Sequence, residues 1–120
     1  MTSLLTACAS QSFPQAHNQS KVFGGYFEES GIGYAPYNIA DLLKNAAADE
    51  LTHLIYAFGN VTATASPTCA IADPSTAYQD STLPSVSGKP YTAPLYGNFG
   101  AIQQFKELHP NLKVLISLGR

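Results

Sequence analysis

The run Leu51-Thr52-His53-Leu54-Ile55-Tyr56-Ala57-Phe58 constrains the fold more than any other stretch of this chain. It is apolar almost throughout instead of alternating. A strand with one wet face alternates, whereas a strand covered on both faces reads as a continuous apolar run, and such strands belong to parallel sheets. His53, inside that run, reads as a satisfied core histidine and not as a base or a metal ligand.

Parallel strands need a crossover between them, and the flanking sequence supplies one. Lys21 to Phe27 (KVFGGYF) reads as a first strand, with Gly24-Gly25 marking a close backbone approach. Glu28 to Tyr37 is a polar loop on which Glu28 and Glu29 are expected to be solvated. Asn38 is placed to cap a helix with Asp41 in its first turn. Ile39, Leu42, Leu43 and Ala46 recur at i, i+3, i+4 and i+7, which predicts one apolar helix face running to about Asp49.

Asn60 to Gly97 is a long irregular segment holding five of the eight prolines. A loop of that length is either functional, here a wall beside a strand-end site, or a tolerated surface insertion. Asn98 is then expected to cap a second helix, with Phe99, Ile102, Phe105 and Leu108 on its apolar face and Pro110 as its stop. Leu112 to Leu118 is a third strand that ends on Ser117-Leu118-Gly119. The order β-α-β-long loop-α-β predicts a parallel α/β architecture with right-handed crossovers. Chemistry in such sheets sits at the carboxyl ends of the strands.

Composition limits the alternatives. The length, 120 residues, suits one domain. A net charge of −2 gives no electrostatic case for nucleic acid or an anionic membrane. Cys8 and Cys69 are the only cysteines, with no CxxC or Cys/His cluster, which argues against a structural zinc site; the sequence implies no other metal and no organic cofactor. Residues 1–20 read as an export-signal remnant or a disordered tail. Leu4 to Ala9 is too short to span a membrane, and Ala7-Cys8-Ala9-Ser10 has the small residues of a cleavage site without a positive n-region before it. Leu5-Thr6-Ala7-Cys8 also fits the pattern before a lipid-modified cysteine. A secreted protein is expected, with anchoring through Cys8 as a variant of that reading.

Taken in order, KVFGGYF, LTHLIYAFGNV and GNFGAIQQFKELHPNLKVLISLG resemble the opening of the bacterial chitinase-like proteins of glycoside hydrolase family 18. The likeness covers residues 21–119. It implies that residues 21–120 are the N-terminal part of a catalytic (β/α)8 TIM barrel, incomplete here, with the first three strands and two helices. It implies an enzyme that hydrolyses β-1,4-linked N-acetylglucosamine polymers by a substrate-assisted retaining mechanism, with chitin or N-acetylglucosamine oligomers as the partners of the full-length protein. The family's acid is a Glu closing a D-x-x-D-x-D-x-E motif on strand four. The motif does not occur in this sequence and would lie beyond Arg120. The chain alone is therefore expected to be inactive.

The resemblance carries over Tyr26, Phe58, Ser117 and Gly119 as pocket residues. The Tyr26 and Ser117 hydroxyls would support an aspartate of the missing motif, Phe58 would offer apolar surface beside the sugar, and Gly119 belongs to the S-x-G-G strand end. Two positions depart from the pattern: Ser30 stands where many relatives have Trp, and Arg120 where the second Gly is expected. The loss of that Gly together with immediate termination suggests a frameshift, a truncated reading frame or a sequencing-assembly edge. A catalytically silent chitin-binding lectin of the same fold is the alternative function, and an unrelated parallel α/β domain completed by another chain is a third reading.

Overall fold

The computed structural model describes residues 21–29 and 37–119. The expectations for residues 1–20, Ser30 and Arg120, including the role of Cys8, lie outside them. Strand β1 spans Gly24–Glu28 and β2 His53–Val61, joined by a 3-10 helix over Ile39–Lys44 and a single α-helical turn, α1, at Ala47–Glu50. Strand β3 (Cys69–Ile71) and a π-helical turn (Ser75–Gln79) follow, then helix α2 (Gly97–Leu108) and β4 (Lys113–Leu118).

The three anticipated strands form a parallel set with β2 at its centre. Tyr26 pairs with Ile55 on one side of β2, and Ile55 pairs with Leu115 on the other. The expectation of three strands is corrected by β3, which runs antiparallel to the end of β2 and makes the sheet mixed. Gly59 is paired with both Ile71 and Leu118, so β3 takes the edge of β2 that β1 has left. The hairpin between β2 and β3 is closed by Thr62, whose N–H donates to the Thr68 carbonyl at 2.9 Å and whose Oγ1 accepts from the Thr68 N–H at 3.0 Å. Side-chain hydroxyls stitch this turn, and hydrophobic periodicity does not record them.

The core lies between the sheet and α2. Phe27, Leu54 and Tyr56 on the sheet meet Ile102 and Phe105 on α2, and Ile39, Ala48 and Leu112 close the cluster. The helix expected over 38–49 is split. Asn45 has extended dihedrals, φ −136° and ψ 156°, and breaks it. Asn38 does not cap through its side chain. Instead Asp41 Oδ2 accepts the Asn38 N–H at 2.8 Å, and Lys44 pairs with the same carboxylate.

These partners, the Lys44 hydrogen bond foremost, hold the Asp41 carboxyl below its usual range. The folded chain then binds a proton less readily than the unfolded one. Stability is fully present above the ordinary carboxylate value and is lost as pH falls through the depressed one. Urea midpoints across an acid series are expected to show this loss in the wild type. Asp41→Asn should lack that component, worth about 0.5–1 kcal/mol for a pair with one exposed partner.

Helix α2 begins differently from expectation. Gly97 is its first residue and Tyr96 its N-cap, so Asn98 lies inside the helix and not at the cap. The Gly97 N–H donates to the Asp80 carbonyl at 2.8 Å and the Tyr96 N–H to the Tyr78 carbonyl at 2.9 Å, seating the helix start on the π-helical turn. The stop is as anticipated, with His109 as C-cap before Pro110.

The segment before α2 is not an open loop. Gln104, buried on the helix, accepts from Ser85 Oγ at 2.8 Å, from the Val86 N–H at 3.0 Å and from the Ser87 N–H at 3.3 Å. Its amide donates to the Lys89 carbonyl at 3.1 Å and to that of Pro90 at 3.4 Å. One polar side chain of the helix thus satisfies several main-chain groups of segment 86–90. Among the described residues no helix is long and apolar enough to cross a membrane, and no His/Cys/Asp/Glu group could hold a metal ion. Cys69 is exposed.

Candidate active site

Strands β1 and β4 end close to one register row, while β2 between them runs on to Val61. Glu28, Ala57 and Ser117 form one row across β1, β2 and β4. Which face each occupies follows from the rings one residue earlier. Phe27 and Tyr56 are register partners, both buried, and stack at 6.1 Å against the helix side. Side chains alternate along a strand, so Tyr26, Glu28, Ile55, Ala57, Leu115 and Ser117 face the other way. That face is open: Tyr26 is 68% exposed and Leu115 50%.

Tyr26 and Ser117 therefore share a face, but they lie on the two outer strands with β2 between them. Strands are spaced about 4.8 Å apart, so about 10 Å separates the two backbones, with Ile55 and Ala57 of β2 on the floor between them. Phe58 is half-buried at the end of β2. There the 57–58 peptide is cis and the ladder to β4 passes from Ala57 to Gly59. Gly119 is exposed with φ +91° and open space where a Cβ would stand, and its N–H donates to the Gly59 carbonyl at 3.1 Å. The left-handed conformation is what favours glycine there. His53 is half-buried at the start of β2, not in mid-strand, and its Nδ1 lies 2.9 Å from Thr52 Oγ1.

One buried group overturns its sequence reading. Glu29 was expected to be a solvated loop residue, yet it is 8% exposed. The Tyr56 hydroxyl donates to its Oε2 at 2.6 Å, and Asn98 Nδ2 donates to the Tyr56 hydroxyl oxygen at 3.3 Å. Tyr56 is 2% and Asn98 0% exposed. Burial, then the hydrogen bond to Glu29, raises the Tyr56 hydroxyl above its ordinary range, so it remains a proton donor at any working pH. Phe99 meets the Tyr56 ring edge-on at 5.0 Å. A signal for Glu29 was present in the sequence: it lies two residues after Phe27 and has the parity of the covered face.

No protein-family model matches the sequence. The chain is 36% identical over 100 residues to Chitinase C of Streptomyces lividans, covering 79% of this chain and 16% of that protein. It is 30% identical over 111 residues to Chitinase 63 of Streptomyces plicatus, covering 88% and 18%. The chain thus spans less than a fifth of the curated relatives it matches. Its backbone matches the catalytic domain of psychrophilic chitinase B from Arthrobacter TAD20 with a TM-score of 0.73 and 32% identity, over 80% of this chain and 26% of that one. It matches a family GH18 chitinase from Chromobacterium violaceum with a TM-score of 0.61 and 30% identity, over 84% and 15%. In sequence and in backbone alike, this mixed α/β chain is chitinase-like, a relative of the glycoside hydrolases.

Proposed function

We propose that the chain is the opening part of a family 18 catalytic barrel and that the face bearing Tyr26 and Ser117 is a wall of the cleft that takes N-acetylglucosamine polymers. The observation that carries this is the row Glu28–Ala57–Ser117 across three parallel strands, close to the carboxyl ends of β1 and β4, with Tyr26 exposed on the same face. The outer edge of β4 supports the continuation of the sheet. Among the described residues β4 pairs only with β2, and Leu115, Ile116 and Leu118 are exposed along it. An apolar strand edge of this kind calls for a cover.

On this reading the acid that protonates the glycosidic oxygen comes from residues that this sequence does not contain, and the substrate's own acetamido group attacks the anomeric carbon. The Tyr26 and Ser117 hydroxyls donate to a carboxylate that assists this step. Fixed donors of this kind keep such a group ionised and oriented. Phe58 lends apolar surface to the sugar, and Gly119 keeps the strand end free of a side chain. The protein works outside the cell, where an insoluble polymer is met.

The 120-residue chain by itself is expected to release no product from chitin oligomers. Set into a chitinase catalytic domain in place of the matching stretch, it is expected to support turnover. There Tyr26→Phe and Ser117→Ala should each lower kcat/KM by about 10–100-fold, the scale of losing one hydrogen bond to a charged group. Turnover by the chain alone, or full activity in both variants, would overturn the reading.

A further inference from the structure

We propose that Glu29 is a positioning residue, a buried carboxylate that locks the end of β1 to β2 and α2 and so sets how Tyr26 faces the cleft. The inference rests on the reading of that face as a substrate wall.

Strand β1 is short and, among the described residues, pairs only with β2. Such an edge strand can roll about its axis, and a roll would swing Tyr26. Among the described residues, two contacts made by Glu29 oppose this. Its N–H donates to the Ala57 carbonyl at 2.7 Å, and its side chain takes the Tyr56 hydroxyl on the opposite face of the sheet from Tyr26. The same hydroxyl accepts from Asn98, so one oxygen joins β1, β2 and the first turn of α2.

The choice of residues is costly for stability. Asn98 is fully buried and its Oδ1 has no partner among the described residues. An unsatisfied buried acceptor costs about 1–3 kcal/mol, and an apolar trio of similar shape would avoid that. What a polar trio adds is direction. The Tyr56 hydroxyl is held between Glu29 Oε2 and Asn98 Nδ2, a directional constraint that packed apolar side chains do not impose. A device for orientation, next to a strand end that carries pocket residues, is what a supporting shell provides.

The test uses the full chain, with amide hydrogen exchange by NMR and a titration with N-acetylglucosamine oligomers. Glu29→Leu removes the acceptor, while Glu29→Gln keeps a carbonyl oxygen for the Tyr56 hydroxyl. Glu29→Leu is expected to speed exchange at the Tyr26–Glu28 amides by about tenfold or more while the β2–β4 ladder is unchanged, and to weaken oligomer affinity by about tenfold. Glu29→Gln should restore both. Should Glu29→Leu fail to fold, Tyr56→Phe deletes only the hydroxyl and is expected to give the same local pattern. Unchanged exchange at Tyr26–Glu28, or faster exchange spread evenly over the sheet as a general loss of stability would produce, overturns the proposal. If the wild-type chain binds no oligomer while Glu29→Leu still shows the local exchange pattern, the result counts against the cleft reading and supports the lock.

Discussion

Replacing Gly97 by alanine is expected to destabilise the chain by about 3 kcal/mol. Gly97 opens α2 with φ +58°. An L-residue in that conformation pays about 1–2 kcal/mol through its Cβ. The Cβ would also stand 2.6 Å from the Thr76 carbonyl oxygen and 2.9 Å from the Ala77 carbonyl carbon and the Tyr78 nitrogen. All three are main-chain atoms of the π-helical turn, so none can rotate away, and relieving the overlap costs about 1–3 kcal/mol more. Gly88 separates the two effects. Its φ is +73°, but nothing lies within 4 Å of its Cβ position, so Gly88→Ala should cost only the conformational part. Urea midpoints of the two variants decide the matter. Equal losses would mean that α2 is not seated on the Ser75–Gln79 turn as described.

Phe105→Ala is the second large effect, expected at about 3–5 kcal/mol. Phe105 is 0% exposed and belongs to the cluster that joins α2 to the sheet. It also stacks on His109, the residue that ends the helix, at 4.6 Å. Truncation loses the transfer energy of the ring and leaves a void in a region where strands on one side and a helix on the other cannot both collapse. Leu108 is the informative contrast. Periodicity puts it on the same face as Phe105, yet it is 51% exposed. Leu108→Ala should cost less than about 1 kcal/mol. Comparable losses at the two positions in thermal or urea unfolding would show that α2 packs on a wider face than the structure gives it.

The contrast between these neighbours shows where sequence reasoning reached and where it stopped. Continuous apolar character in Leu51–Phe58 led to a central strand covered on both faces. Strand β2 is the central strand of the parallel set, but its helix side is the better covered, and Ile55 on the other face is half-buried between exposed Tyr26 and Leu115. Leu112–Leu118 led to β4 almost to the residue, and Pro110 marked the end of α2. Strand β3 escaped because three residues set among Thr, Pro and Ala carry no periodic signal, and their pairing is decided by the hydroxyls of Thr62 and Thr68. Asn98 escaped for a different reason. An Asn before an apolar helix face is the ordinary mark of a cap, but Gly97 begins the helix one residue earlier and turns the amide inward.

The pocket residues carried over from the family pattern divide in the same way. Tyr26 and Ser117 could be assigned to one face from parity and from parallel pairing, both of which are periodic properties of the chain. Nothing periodic gives the width between them, because it depends on β2 lying in the middle of the sheet.

By itself the sequence determined the parallel strand set, the helix that covers it and the likeness to chitinases. Each of these is written in local repeats or ordered motifs that short stretches of chain carry. Only the tertiary structure decided that Glu29 is buried and that Tyr56 and Asn98 hold it. Those bonds join residues 27 and 42 positions apart in the chain, and a bond between distant residues exists only once the fold has closed the loops between them.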